Sequence, residues 1–353
     1  MKIRGGDLDL VEFEVTSFQP GENMDTIGLE REYQLCPSPF PIRVIAPARA
    51  HLSVLDMNRF APGTPGGGGF GFALQVYCTV TASCTPSGLT IEYTRPPLIE
   101  HFARVFMKTV GYTGGFFIQA QDHNYLHVGL GSTSTIIMAL AVALNQAVGE
   151  PLTHEELRYL VGHNYVEETA DAHVAFGFET GVGPAASCYG GFAVLGDRLT
   201  IISQHEFAKD KKVYIVIPPS DSSSAGDEEF ELLMNKARTL DYQDREQKAY
   251  YIMMDMIPAL VRGDIRRMGE IMWEIEFRGS KRAEIEHHSF EMYRYMHSLR
   301  QAGLEFVGMS SVGPSIVIVT EKEKDAVISI IEPLGLTLKI ETAVDNQGIR
   351  IDA

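Results

Sequence analysis

The segment richest in chemistry is H-V-G-L-G-S-T-S-T, residues 127–135. A strand-like run leads into Gly129, Leu130 and Gly131, and Ser132, Thr133, Ser134 and Thr135 then open an apolar helical stretch. Glycine lets a backbone approach a ligand closely. A helix N-terminus offers unpaired N–H groups and a partial positive charge. Small hydroxyl side chains add donors without bulk and can reach a metal ion. Together these suit a phosphate, although a helix capped by Ser132, with glycines serving packing, would use the same residues. His127 abuts this loop as a further contact to an anion.

Two other segments offer walls to such a site. In A-P-A-R-A-H-L-S-V-L-D-M-N, residues 46–58, Arg49, His51 and Asp56 sit among apolar positions as if on one sheet face. Arginine's fixed fork of donors suits phosphate, and a surface ion pair is the plainer use of Arg49. In G-M-S-S-V-G-P-S, residues 308–315, a Gly/Ser turn with Ser310, Ser311 and Gly313 precedes an apolar strand and can present backbone N–H groups. The glycine run at 62–72 reads as a flexible loop or a lid. His173 and Glu179 flank an apolar run and read as satisfied structural residues or as catalytic candidates. Glu167 and Glu168, read as lying on a helix, form a solvated face or offer a metal ligand. The pair His287 and His288 lacks partners at metal spacing and reads as surface, and Met253, Met254 and Met256 read as helix core.

Composition narrows the class. The chain has 353 residues and a formal net charge of −16 without a basic run, so neither nucleic acid nor an anionic membrane is an expected partner. Four cysteines, Cys36, Cys78, Cys84 and Cys188, show no CxxC pair and read as reduced thiols. The first residues carry acids where a signal peptide needs an apolar run, and no stretch reaches the roughly 20 apolar residues of a membrane span. The expectation is a cytoplasmic two-domain enzyme.

The elements that must hold these residues follow from periodicity. Strands are expected at 8–16, 42–46, 51–55, 71–82, 115–121 and 191–203, with helices at 98–111 and 132–148. A Thr153/Glu156 capping box opens another helix. After a composition shift near 205–212 come a strand at 212–218, a loop at 222–226, and helices at 227–238, 245–263 (kinked at Pro258), 264–277 and 284–302. A strand at 315–320, a helix at 321–333 and a strand at 337–341 follow. This is an α+β arrangement: an extension at 1–40, a first domain at 41–205 and a second at 206–353.

The ordered set of residues 46–56, 127–135 and 308–315 resembles the three motifs of the GHMP kinase superfamily. That resemblance spans about 42–345 and implies an N-terminal ribosomal-S5-like domain 2, a C-terminal ferredoxin-like domain, and donor phosphates at 127–135. Such kinases commonly carry an aspartate in S-G-V-D; the matching T-G-V-G-P-A-A-S-C-Y-G-G, residues 180–191, has Gly183 there. The chain is similar to the β-ribofuranosylaminobenzene 5′-phosphate synthase branch, carried by APARAHLSVLDMN (46–58), GGFGFAL (68–74), TGVGPAASCYGGF (180–192) and MSSVGPS (309–315). That branch includes C-nucleoside synthases of the formycin and pyrazofurin type. Gly67, where the methanopterin enzymes carry an acid, the N-terminal extension and the 176–179 segment tilt the resemblance toward the C-nucleoside type.

The resemblance implies a magnesium-dependent transferase. It would join C1 of phosphoribosyl pyrophosphate to a carbon of an aromatic acid, 4-aminobenzoate or a pyrazole carboxylate, releasing carbon dioxide and pyrophosphate. The implied phosphate contacts are Arg49, His51, His127, Gly129, Leu130, Gly131, Ser132, Thr133, Ser134, Thr135, Gly181, Ser310, Ser311 and Gly313. The implied metal ligands are Ser132 and Glu168, and the catalytic candidates His173 and Glu179. A homodimer is left open. An ATP-dependent small-molecule kinase and a non-catalytic binding protein on the same fold are the alternatives.

Overall fold

The computed structural model describes residues 2–3, 11–12, 16–61, 63–125, 128–220 and 232–352. Near the N-terminus, β1 (Lys2–Ile3) pairs with β2 (Val11–Glu12), the described part of the strand expected at 8–16. Residues 16–40 then run as an extended strap. The Phe18 N–H and C=O pair with Val174, and Asp25 is held by the Asn164 side chain.

The first sheet is built on β3 (Ile42–Val54) and β4 (Gly69–Thr85), which pair antiparallel along most of their lengths. The expected strands 42–46 and 51–55 are one continuous element. Pro47 sits where the β3–β4 register shifts, and the strand on β3's other side pairs only Arg43, Val44 and Ile45. The missing donor therefore falls at a bulge beside an open edge, where proline is tolerated. One edge of β4 is shared between two partners: its first residues pair with β9 (Phe192–Leu195) and its last with β6 (Gly115–Gln121). A short β5 (Gly88–Glu92), which period-2 reading passed over, lies parallel to β6. The expected strand 191–203 is a hairpin of β9 with β10 (Ile201–His205).

One face of this sheet is covered by α1 (Pro96–Val110), α2 (Ser132–Ala147) and α3 (His154–His163). Helix α2 is buried all round, as expected of a helix enclosed on every side. Between α3 and β9 come the hairpin β7 (Val166–Glu168) with β8 (Val174–Phe176) and helix α4 (Val182–Tyr189), none of them expected.

The second half carries a four-stranded antiparallel sheet. Its order is β12 (Phe306–Met309), β13 (Ile316–Thr320), β11 (Lys212–Val216), β14 (Leu338–Thr342). Its helices are α5 (Arg238–Tyr251), α6 (Ile257–Arg262), α7 (Ile265–Glu276), α8 (Gly279–His288), α9 (Glu291–Gln301) and α10 (Lys324–Ile331). Where a kink is expected at Pro258, α5 gives way to a π turn at Ile252–Met256, and α6 starts anew with Pro258 in its first turn. Met253 and Met254 are exposed on that turn and only Met256 enters the core, correcting the expectation that all three are core. The helix expected at 284–302 is two helices, broken at Ser289, whose backbone is extended. The loop at 222–226 and the start of the helix at 227–238 lie outside the described residues.

The halves share a core. Phe70, Phe72 and Phe192 of the first sheet pack with Phe207, Val213, Met268 and Phe306 of the second half. At about 1.5–3 kcal/mol for each buried large side chain, this seam is a major part of the stability. The chain then returns, and β15 (Arg350–Asp352) pairs with β3 at the edge of the first sheet.

Candidate functional site: a phosphate-shaped helix start

Helix α2 begins without a side-chain cap. Its N-cap is Gly131, in the left-handed region at φ 71°, rather than the Ser132 of the capping reading. The Thr135 N–H bonds back to the Gly131 carbonyl, so the N–H groups of residues 132–134 are the orphan donors of the first turn. A side chain cannot be added at Gly131: its Cβ would lie 2.8 Å from the Arg49 Nε and Cζ atoms. Arg49 is thus brought against the loop before α2, its Nη1 donating to the Gly129 carbonyl at 2.8 Å.

The three expected segments meet here. The Ser310 hydroxyl accepts from the His51 N–H at 3.0 Å and donates to the Gly129 carbonyl at 2.7 Å, so one fully buried side chain ties β3, the loop before α2 and the turn after β12. Ser310 was expected to bind phosphate; its single proton is spent on Gly129, and it works as a clasp. The Ser311 N–H, likewise an expected phosphate contact, donates to the His51 carbonyl at 2.5 Å. Buried Lys281 on α8 donates to the carbonyls of Ser311 (2.8 Å) and Met309 (3.3 Å), fixing the turn from below. Gly313 packs against His288, whose Nε2 meets the Val312 carbonyl at 2.6 Å; His288 is a support of this loop and not a free surface residue. Burial, with Arg49 and Lys281 nearby, holds the His51 imidazole well below its ordinary value, so the ring is neutral.

Helix α4 starts at the same place. Its N-cap Gly181 is also left-handed, and its N–H donates to Glu179 Oε1 at 2.7 Å. The first turns of α4 and α2 touch at Gly183: a Cβ there would lie 2.6 Å from Ser134 Oγ and 3.6 Å from Glu179 Oε2. A side chain at 183 would force Ser134 aside, and the carboxylate of Glu179 lies beside that position. Burial pushes the Glu179 carboxyl up to about 7, against the pull of the Gly181 N–H and Arg49. Two helix N-termini, Arg49 and a carboxyl poised near neutrality therefore converge.

A buried polar chain lies alongside, which sequence reading missed. Arg95 donates to the Thr133 hydroxyl at 2.9 Å and to the Tyr93 hydroxyl at 2.7 Å, and lies 3.5 Å from Asp122. The Thr133 hydroxyl donates to Glu167 Oε2 at 3.0 Å, and Tyr165 closes the far side on Glu167 Oε1. Thr133 and Glu167 stood out in the sequence singly, but their link to Arg95, Tyr93, Asp122 and Tyr165 did not, because these residues belong to five separate elements and connections.

Other expectations are redirected. Glu167 and Glu168 lie on a strand, so neighbours point to opposite sides; Glu167 reaches the start of α2, whereas Glu168, expected as a metal ligand with Ser132, is exposed. His173 is held outside, its ring nitrogens engaging the Gln19 side chain and the Asp171 carbonyl, neither of which belongs to the cluster around Glu179. Asp56 leaves the sheet face and caps a short turn, where it pairs with Arg245 at 3.3 Å. The glycine run is no loose lid: residues 65–70 are buried, and a Cβ at Gly68 or Gly69 would lie 2.4 Å from the carbonyls of Leu195 or Ser53. His127 lies outside the described residues. Among the described residues, no helix is long and apolar enough to cross a membrane.

Residues 97–191 match the family described as GHMP kinases N terminal domain. Among curated proteins, the chain is 28% identical to a beta-ribofuranosylphenol 5′-phosphate synthase of Methanothermobacter thermautotrophicus, over 86% of this chain and 96% of that protein. It is 26% identical to the Archaeoglobus fulgidus protein of that name, over 79% and 88% of the two chains. Among solved structures, homoserine kinase from Cytophaga hutchinsonii superposes with a TM-score of 0.63 at 15% identity, covering 90% of this chain and 99% of that one. Mevalonate diphosphate decarboxylase from Staphylococcus aureus gives 0.60 at 19%, covering 88% and 98%. These likenesses show the α+β GHMP fold.

Proposed function

We propose that this GHMP-superfamily chain, of the branch that holds the ribofuranosylphenol phosphate synthases, is a decarboxylating C-ribosyltransferase using phosphoribosyl pyrophosphate. The observation that carries the reading is the contact at Gly183. Where the superfamily's kinases commonly hold an aspartate, the first turns of α2 and α4 touch, and a side chain there would force Ser134 aside. The phosphate-shaped helix start remains, so the binding half of kinase chemistry persists without its usual base.

The donor's pyrophosphate lies against the N–H groups opening α2, with Arg49 beside it. As it leaves, positive charge grows on ribose C1, and the ring carbon bearing the carboxylate attacks. The curated relatives' product is a phenol, which favours a hydroxybenzoate acceptor; aminobenzoate and pyrazole carboxylate are the other candidates. Glu179 takes the ring hydroxyl proton, raising electron density at the attacking carbon. The C–C bond to ribose forms, the bond to the carboxylate breaks, its electron pair restores the aromatic ring, and Glu179 returns the proton. Magnesium suits the oxygen donors here. Glu167 and the Ser132 hydroxyl would hold it with phosphate oxygens, and when bound it would neutralise charge on the departing pyrophosphate.

Carboxyl-labelled hydroxybenzoate, aminobenzoate and aminopyrazole carboxylate, each incubated with the protein, magnesium and phosphoribosyl pyrophosphate, test the proposal. One acid should release label and pyrophosphate in equal amounts, and none should release label without the sugar donor. Phosphate transfer from ATP to an alcohol would establish a kinase instead; neither reaction, with the donor still bound, would leave a binding protein.

A further inference from the structure

We infer that Arg95 is a positioning residue for the pyrophosphate site, acting through Thr133 to set the direction of the Glu167 carboxylate at the start of α2. This rests on the reading that the α2 start holds the donor's pyrophosphate. The argument begins with valence. A guanidinium only donates, so the Thr133 hydroxyl, 2.9 Å from Arg95 Nη1, must accept from it. Its single proton is then committed to the other neighbour, Glu167 Oε2 at 3.0 Å. The second carboxylate oxygen is taken by the Tyr165 hydroxyl. Glu167 is thereby gripped by two hydroxyls, each donating, and is aimed at the helix start.

Arg95 is itself built in. Both Arg95 and Asp122 are buried, and the Tyr93 hydroxyl lies between them, 2.7 Å from Arg95 Nη2 and 3.0 Å from Asp122 Oδ2. Arg95 crosses from the connection between β5 and α1, Thr133 sits in α2 and Glu167 in β7, so the chain of bonds sets three elements relative to one another. Its position in the first turn of α2 makes the consequence local. Losing the Arg95 bond leaves the Thr133 hydroxyl free to rotate, so its bond to Glu167 Oε2 is no longer fixed in direction.

Magnesium pyrophosphate, titrated calorimetrically into the full chain, is the probe. Arg95→Met and Thr133→Val should each weaken its binding by about 10- to 100-fold, the usual cost of removing a group that orients a ligand-binding residue. The double variant should be no worse than the weaker single one, because both cut one chain. Thr133→Ser, which keeps the hydroxyl, should restore wild-type affinity, and hydroxybenzoate affinity should be unchanged throughout. If Arg95→Met proves unfolded by circular dichroism, the Val and Ser variants at 133 carry the test. Wild-type affinity in the Val variant, or losses that add in the double, would overturn the inference. Failure of the wild-type protein to bind pyrophosphate would overturn the donor-site reading itself.

Discussion

At the scale of a residue, Glu179 shows how burial makes chemistry from an ordinary carboxyl. Its proton equilibrium lies at about 7 because burial outweighs the Gly181 N–H and Arg49. A base must be deprotonated to work, so turnover should rise as pH climbs through about 7. Glu179→Gln should lower kcat by about 100-fold or more and abolish that limb of the kcat/KM profile. An unchanged profile would remove Glu179 from the reaction. Stability carries the opposite sign. A carboxyl whose folded value is raised holds a proton that the unfolded chain releases, so its contribution is present below about pH 4.5 and is lost as pH rises toward 7. The Gln variant should show a flatter dependence of its urea midpoint across that window.

At the scale of an element, the decisive contact is between two helix starts. Gly183 is required because its neighbour is the Ser134 side chain, with a Cβ-to-Oγ separation of 2.6 Å. Gly183→Asp, which restores the residue common in the kinases, should therefore lower the melting temperature and abolish pyrophosphate binding without producing ATP-dependent phosphate transfer. Forced overpacking of this kind costs about 1–3 kcal/mol. Adding Ser134→Gly should recover part of the stability. A Gly183→Asp protein that melts like wild type and phosphorylates an alcohol would show that only the aspartate was missing.

At the scale of the molecule, the site depends on how the two halves are pinned. Lys248 and Asp241 of α5 form a fully buried ion pair. Lys248 donates to the Val54 carbonyl at 2.9 Å, and Asp241 accepts from the N–H groups of Met57 (2.9 Å) and Ser280 (2.5 Å). The pair therefore joins the end of β3, which carries Arg49 and His51, to α8, which carries Lys281 beneath the 309–313 turn. Lys248→Met leaves the Asp241 charge uncompensated and should cost about 3–5 kcal/mol in urea unfolding. Adding Asp241→Asn, which removes the charge and keeps an acceptor, should regain part of it. A single variant as stable as wild type would show that the seam of aromatic side chains alone holds the halves together.

The sequence by itself determined what local pattern can encode. Gly129 and Gly131 before a run of hydroxyls announce a helix start, and Thr153 with Glu156 closes the capping box that opens α3. The resemblance to the GHMP kinases set Gly183 where those kinases commonly carry an aspartate. Period and spacing sufficed because those signals lie within one turn or one strand. Tertiary structure decided the rest, because it turns on contacts between distant segments. Ser310 reads as a phosphate donor until its proton is seen spent 181 positions away on Gly129. Four glycines read as a lid until the carbonyls of Leu195 and Ser53 close over them. Glu167 and Glu168 are indistinguishable until a three-residue strand sends one inward, and Arg95 means nothing until the fold sets it against Thr133. Which hydroxyls face a ligand and which hold the frame is fixed by hydrogen-bond valence in the packed molecule, and no local spacing records it.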